Sequence, residues 1–158
     1  MNKTINSFLK EQNSCITKIL KDTTSIEKII KILITARDNK KKIFVMGNGG
    51  SGSTASHLVS DLLKTAITKG EKRFSAISLV DNMPVILAWS NDTDYNNIFA
   101  EQLKNHVSKG DVIIGFSGSG NSQNVINAFT VGKKSGAIRI GITGMSGGKL
   151  PEIRSEEH

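Results

Sequence analysis

Long apolar runs and cysteines are both scarce in this chain, and each shortage excludes a class of protein. No apolar run approaches the ~20 residues needed to span a bilayer, and residues 1–6 lack the apolar core of a secretion signal. The single Cys15 cannot form an internal disulfide and fits a reducing cytoplasm. Its place on a helical face predicts a buried, inert thiol. With 158 residues, of which 37% are hydrophobic, we expect one soluble cytoplasmic domain without a membrane partner.

Aromatic residues are also few, at 5%, and they do not interleave with the basic residues. The net charge of +7 is concentrated at one end, because residues 1–42 hold ten Lys or Arg against four Asp or Glu. Such an excess is either a patch for nucleic acid or a membrane, or the solvated face of amphipathic helices. The dispersed pattern favours the solvated helices, so nucleic acid is not expected as a partner.

The N-terminal segment, residues 1–40, is predicted to be helical and part of the same domain as residues 41–158. Residues 4–21 carry apolar side chains near helical spacing, and Thr24–Glu27 has the pattern of a capping box before a second helix. A long amphipathic helix ahead of the first strand either packs against its copies in an oligomer or covers the core.

Strands and helices alternate from Ile43 onward. We predict strands at 42–46, 75–79, 112–116 and 138–143, and helices near 52–66, 84–90, 95–108 and 122–134. This alternation is typical of an α/β fold with a parallel sheet and right-handed crossovers, in which ligands bind beyond the carboxyl ends of the strands. Only seven residues follow Pro151, so we expect that a final strand and helix are missing, or that a partner completes the fold.

Two glycine- and serine-rich loops each follow a strand and precede a helix, at 47–53 and 117–122. Backbone N–H groups and helix N-termini at such junctions bind anions. The first loop lacks the acidic residue of a dinucleotide fingerprint, and no Gly-Lys-Ser/Thr occurs, which argues against a nucleotide P-loop. Serine hydroxyls suit a phosphate monoester, so we expect a phosphorylated small molecule.

His57 and Asp61 are helical neighbours at i, i+4, opposite the face predicted to be buried. They are either two solvent-facing polar residues or a metal-binding or acid/base pair close to the first loop. Asn91-Asp92 ends another helix and is either a cap and turn or a pair that binds sugar hydroxyls. Trp89 and Phe99 are predicted to be core residues.

Together these residues resemble the sugar isomerase (SIS) domain family, and most of all its phosphoheptose isomerases, which interconvert sedoheptulose 7-phosphate and glycero-manno-heptose 7-phosphate. The match runs in consistent order over about residues 1–150. It rests on these segments: Gly47–Ser51, His57 with an acid at 61, Asp81-Asn82 with Asn91-Asp92, Glu101–Lys104, Ser117–Val125, and Gly141–Gly144 with Gly147-Gly148.

The resemblance implies a three-layer α/β/α fold and a homotetramer with active sites at subunit interfaces. It implies that His57 and Asp61 bind one zinc ion per subunit, and that Asp61 moves a proton between C1 and C2 of a seven-carbon sugar phosphate through an enediolate. Substrate contacts carried over from the family are Asn48, Gly49, Gly50, Ser51, Asn91 and Asp92, with Ser117, Gly118, Ser119 and Ser122 around the phosphate.

The chain departs from the family pattern at three places. Asp61 stands where a glutamate is usual, and Gly118 replaces a residue that often carries a hydroxyl. The Gln and His that the family places on a C-terminal helix have no match. Two alternatives to a heptose isomerase therefore stay open: a non-catalytic SIS module that binds phosphosugars or a replication initiator protein, and an isomerase of a different sugar phosphate.

Overall fold

The computed structural model describes residues 2–144 and 147–150. The chain separates into two compact units, one ending at Ile32 and the other beginning at Leu33. The predicted boundary near residue 40 stays a prediction, and the residues from Pro151 onward, where a final strand and helix are expected to be missing, lie outside the described residues. Among the helices that the structure describes, none has both the length and the apolar character needed to cross a bilayer.

The N-terminal unit contains α1 (Asn2–Lys21) and the first part of α2 (Thr24–Asp38). The cap of α2 begins one residue earlier than predicted, because Thr23 donates its hydroxyl to Glu27 Oε1 at 2.8 Å. The apolar side chains of α1 are exposed, with Phe8 at 59% and Leu20 at 72%. Cys15 is exposed as well, so the prediction of a buried thiol is wrong: helical spacing fixes the face of a residue but not what covers that face.

The second unit is built on four parallel strands, β1 (Lys42–Gly47), β2 (Ser75–Ser78), β3 (Val112–Ser117) and β4 (Ile138–Thr143). They lie in the order β2-β1-β3-β4. β1 and β3 are almost wholly buried, as expected for strands covered on both faces. All four strands fall where the apolar runs predict them, within one residue at either end.

The direction in which the chain adds successive strands to the sheet changes between β1 and β3. From β1 the chain moves to β2 on one side, and then crosses to β3 and β4 on the other. This is a topological switch point, where the connections leaving two adjacent strands diverge to opposite faces and leave a crevice at the strand ends. Both glycine- and serine-rich loops start there.

Helices cover both faces of the sheet. α3 (Gly50–Ser60) packs on β1, β2 and β3, while α5 (Ile98–His106) and α6 (Gln123–Ser135) pack against each other and α6 also contacts β3 and β4. Right-handed crossovers in opposite directions put α3 on one face and α5 with α6 on the other. The predicted three-layer α/β/α sandwich is thus confirmed, with α4 (Met83–Asp92) joining α5 through a 3₁₀ turn at Tyr95–Asn97.

The core lies between the sheet and α5 and α6. Its largest fully buried side chains include Phe44, Phe99 and Phe129, and Trp89 packs partly buried against the same cluster. The predicted core roles of Phe99 and Trp89 are therefore confirmed. Deep burial of β1 and β3 fixes the positions from which the two loops depart.

Candidate functional site

The two loops at the switch point begin side by side. Gly47 at the end of β1 pairs with Phe116 of β3, so the segments that follow leave neighbouring strands at the same sheet edge. The first loop turns sharply into α3, with Gly49 at φ +53°, a conformation that only glycine adopts readily. Ser51 donates its backbone N–H to the Asn48 carbonyl within this turn. The hydroxyl is therefore the donor that Ser51 has available for a ligand.

Three serines surround the N-terminus of α6. The Ser117 hydroxyl, buried at the end of β3, donates to Ser122 Oγ at 3.0 Å, and Ser122 is the N-cap of α6. Because Ser122 Oγ accepts this bond and makes no side-chain cap bond, its own proton can be donated to a ligand. Ser119 is exposed at the tip of the loop and accepts from the Asn121 N–H. Hydroxyl donors at a helix N-terminus form an anion site that matches a phosphate.

The segment after β4 folds over this serine loop. Gly144 donates its N–H to the Gly118 carbonyl at 3.1 Å, and the N–H groups of Lys149 and Leu150 donate to the Gly120 carbonyl at 3.1 and 3.0 Å. Leu150 is fully buried in the core and anchors the segment. The serine loop is therefore held from two sides, by α6 and by the chain that follows β4.

His57 and Asp61 lie on the exposed face of the helix that follows the first loop, as their spacing predicts. His57 Nε2 is 3.3 Å from Asp61 Oδ2, and their side chains are 81% and 47% exposed. Asp61 also begins a π-helical turn (Asp61–Thr65), in which Ala66 donates its N–H to the Asp61 carbonyl and the Thr65 hydroxyl donates to Asp61 Oδ1. Wide turns of this kind are frequent at functional sites, and no feature of the composition predicts this one.

An open cleft of ≈ 510 Å³ runs along this pair. It is lined by Ser53, Thr54, His57, Leu58, Asp61 and Phe116. The cleft is bounded at β3 by Phe116, the residue directly before Ser117. Within its lining, a ligand can meet the hydroxyls of Ser53 and Thr54 together with a carboxylate beside an imidazole.

The same pair supplies two donors of the kind that zinc accepts, an imidazole nitrogen and a carboxylate oxygen. Zinc sites in proteins use three or four protein ligands, and the described residues contain no group of three His, Cys, Asp or Glu that could hold a metal ion. The described part of the chain thus fits half of such a site.

A second cleft, of ≈ 460 Å³, opens on the other side of the first loop, between α3 and α4. Its lining is mostly apolar, with Asn48, Ser53, Ser56, Asp81 and Tyr95 as polar members. Ser56 donates its hydroxyl to Asp81 Oδ1. Tyr95 donates to Asn48 Oδ1 at 3.0 Å, and Asn124 exchanges two amide hydrogen bonds with Asn48. Sequence reasoning did not assign Asn124 or Tyr95 to the site, because both contact Asn48 only through the fold.

Asn91 and Asp92 are placed differently from the other candidate residues. They form the last turn of α4, both are exposed, and Asn91 donates its side-chain amide to Asp92 Oδ1 at 2.8 Å. Neither residue lines either of the two clefts. Their predicted contact with a sugar stays a prediction, while the predicted end of the helix at these residues is confirmed.

Comparison with known proteins was made for sequence and for structure. The SIS domain family matches residues 7–144. The phosphoheptose isomerase of Aliarcobacter butzleri is 39% identical over 150 residues, which cover 94% of this chain and 78% of that protein. The chain belongs to the SIS domain family, among its phosphoheptose isomerases. Another member, from Clostridium acetobutylicum, is 36% identical over 152 residues, covering 94% of this chain and 77% of that protein.

Solved structures of phosphoheptose isomerases share the fold. One from Francisella tularensis superposes with a TM-score of 0.91 at 26% identity, covering 98% of this chain and 81% of that one. One from Neisseria gonorrhoeae gives a TM-score of 0.89 at 24% identity. The parallel sheet and its switch point are thus those of phosphoheptose isomerases.

Proposed function

We propose that the protein is a phosphosugar aldose–ketose isomerase that interconverts sedoheptulose 7-phosphate and D-glycero-D-manno-heptose 7-phosphate, which supplies heptose for surface polysaccharide. One observation carries the proposal: the His57–Asp61 pair lines a cleft that is bounded at β3 by Phe116, the residue directly before the serine loop. Membership among the phosphoheptose isomerases at 36–39% identity supports this choice of substrate.

The phosphate end of the sugar would lie at the serine loop. The hydroxyl oxygens of Ser117 and Ser122 already lie 3.0 Å apart, and the N-terminus of α6 adds its partial positive charge. With its phosphate fixed, the sugar would extend its carbon chain along the cleft toward α3. Binding energy collected at this remote group can then be used to hold C1 and C2 in register with the reacting groups.

We assign the proton transfer to Asp61. Its carboxylate takes a proton from C1 of the ketose, the electrons form the C1–C2 double bond of an enediolate, and the Asp61 carboxyl then delivers a proton, part of which has exchanged with solvent, to C2 to give the aldose. The hydroxyl proton on O1 is transferred to O2, so the two sugars are isomers and nothing else is consumed. Thr65 and His57 contact different oxygens of Asp61, which orients the carboxylate while each oxygen keeps a free lone pair.

Zinc binding at His57 and Asp61 is a further part of the proposal. These residues would provide two of the ligands, and the bound ion would polarise the oxygens on C1 and C2 of the sugar. We also propose that the protein assembles as a homotetramer, because the exposed apolar side chains of α1, such as Phe8 and Leu20, need a surface to cover them.

The experiment is proton exchange at C1. The protein is incubated with sedoheptulose 7-phosphate in D₂O, either treated with chelator or supplied with Zn²⁺, and proton NMR follows the loss of the C1 signals and the growth of the aldose. We expect exchange that is lost in Asp61→Asn. The matched control is Glu71→Gln, which neutralises an exposed carboxylate paired with Arg37 and not lining either cleft.

Each outcome decides a different part of the proposal. Exchange that persists in Asp61→Asn would show that another group is the base. Saturable binding of the sugar phosphate with no exchange would favour a non-catalytic phosphosugar-binding module. Exchange that needs no added Zn²⁺ and survives the chelator would remove zinc from the proposal and leave the isomerase intact.

A further inference from the structure

The side chain of Asn48 is enclosed by hydrogen bonds from two distant parts of the chain. Asn48 Nδ2 donates to Asn124 Oδ1 at 2.9 Å, and Asn124 Nδ2 donates back to Asn48 Oδ1 at 2.9 Å. The Tyr95 hydroxyl adds a third bond to Asn48 Oδ1 at 3.0 Å. We call these three residues the amide staple. It joins the loop after β1, the first turn of α6 and the 3₁₀ turn before α5.

The orientation of both amides follows from one backbone group. The N–H of Val125 can only donate, and it lies 2.9 Å from Asn124 Oδ1, so that atom is the acceptor oxygen. The Asn48 atom facing it must then be the nitrogen. Asn48 Oδ1 is consequently the atom that receives Asn124 Nδ2 and the Tyr95 hydroxyl.

This arrangement limits what Asn48 can do for a ligand. Its carbonyl oxygen has two lone pairs, and both are occupied by Asn124 and Tyr95. Its side chain keeps a single unused N–H. Asn124 is only 1% exposed, so breaking the pair would leave its buried Nδ2 without the partner it has in Asn48, which is unfavourable.

We propose that Asn124 and Tyr95 are positioning residues: through Asn48 they fix the separation of the two phosphosugar-binding loops across the switch point. The proposal rests on the proposed function for the identity of the sugar. Asn124 lies two residues after Ser122, so the staple ties the N-terminus of α6 directly to the loop that leads into the helix of His57 and Asp61. A displacement of about 1 Å between a bound phosphate and the reacting carbons is enough to slow catalysis substantially.

The test is a double-mutant cycle on Asn48 and Asn124 in the full chain, with Tyr95→Phe as a variant that removes only one exposed hydroxyl. Two readouts are measured at a temperature where every variant is folded: kcat and KM for sedoheptulose 7-phosphate, and the Kd of inorganic phosphate by calorimetry. We expect Asn124→Ala to raise KM and the phosphate Kd about tenfold, and Tyr95→Phe to raise them about threefold. The Asn48→Ala/Asn124→Ala double variant should be no worse than Asn48→Ala alone, since Asn124 acts through Asn48.

The matched control is Gln123→Ala, which removes another amide–amide bond of α6, the 2.8 Å contact of Gln123 with Asn127, without touching Asn48. It should leave both readouts unchanged. Side-chain amide NMR adds a signature that general destabilisation does not produce: Tyr95→Phe should shift the Asn48 NH₂ resonances and leave in place those of Asn39, whose amide donates to the Thr35 carbonyl.

Two results would overturn the staple. Additive losses in the double variant would mean that Asn124 does not act through Asn48, and an unchanged phosphate Kd in Asn124→Ala would mean that the pair does not position the loops. Failure of the proposed function is distinguishable from both. If the unmodified protein does not turn over the sugar, the phosphate Kd still tests the staple.

Discussion

Replacing Gly120 with alanine should detach the segment that covers the serine loop. Gly120 has φ +67°, and a Cβ built on it would lie 1.7 Å from the carbonyl oxygen of Gly147. The Gly147 carbonyl is backbone and the position of a Cβ is fixed by its own backbone, so no side-chain rotation can relieve the collision. The segment must move, which breaks the bonds from Lys149 and Leu150 to the Gly120 carbonyl and draws Leu150 out of the core.

The expected cost follows from two contributions. Left-handed backbone at an alanine costs about 1–2 kcal/mol, and exposure of a fully buried leucine costs about 1.5–3 kcal/mol. Gly120→Ala should therefore lower the free energy of unfolding by about 2.5–5 kcal/mol, a large part of the about 5–15 kcal/mol typical of a domain. The Kd of inorganic phosphate should rise at least about tenfold, because the Ser117–Ser122 turn loses one of its two supports.

Urea denaturation and phosphate calorimetry measure the two effects. The stability control lies two residues away: a Cβ on Gly118 meets no atom within 4 Å, so Gly118→Ala should change the free energy of unfolding by less than about 0.5 kcal/mol. Equal losses in the two variants, or a loss below about 1 kcal/mol in Gly120→Ala, would refute the reasoning, since of these two glycines Gly120 alone combines positive φ with a backbone collision.

Three other predictions follow from single residues. Gly118→Ser should lower the Kd of inorganic phosphate severalfold, because open space beside Ser117 and Ser119 admits a further hydroxyl donor; calorimetry showing weaker binding would contradict this. Arg139→Met should raise the free energy of unfolding by about 1 kcal/mol or more. Nε and Nη1 of Arg139 are buried without a hydrogen-bond partner among the described residues, and burial lowers the pKa of this guanidinium. A loss of stability in the variant would point to a partner in the remaining residues. Hydrogen bonds from Thr24 hold the pKa of Asp22 below its usual value. The stabilisation of α2 by these bonds is therefore present at neutral pH and is lost as the pH falls through the lowered pKa. An NMR titration of Asp22 that is unchanged in Thr24→Ala would contradict this assignment.

The sheet could be predicted from the sequence because each strand is an apolar run bounded by glycine, serine or charged residues. The same runs located both loops, and helical periodicity alone placed His57 and Asp61 on an exposed face. These features are local, so a short window of sequence contains the physics that decides them.

Features that depend on distant contacts could not be predicted. Asn48 and Asn124 are 76 positions apart, and only the β2-β1-β3-β4 strand order brings them together. The wrong prediction for Cys15 has the same origin, because exposure of a helical face depends on what packs against it. The π-turn at Asp61 also escaped, since its sequence contains ordinary helix-forming residues.

The π-turn has a consequence for how this site tolerates changes of chain length. A π-turn contains one residue more than an α-turn, so it absorbs an insertion without rotating the helix that precedes it. Losing one residue from 62–65 would convert the turn to an ordinary α-turn and leave His57 and Asp61 in register. Losing one residue from 58–60 would rotate Asp61 by about 100° relative to His57. Single-residue deletions across 58–65, scored by C1 proton exchange, should therefore divide at Asp61 into silent and inactivating sets.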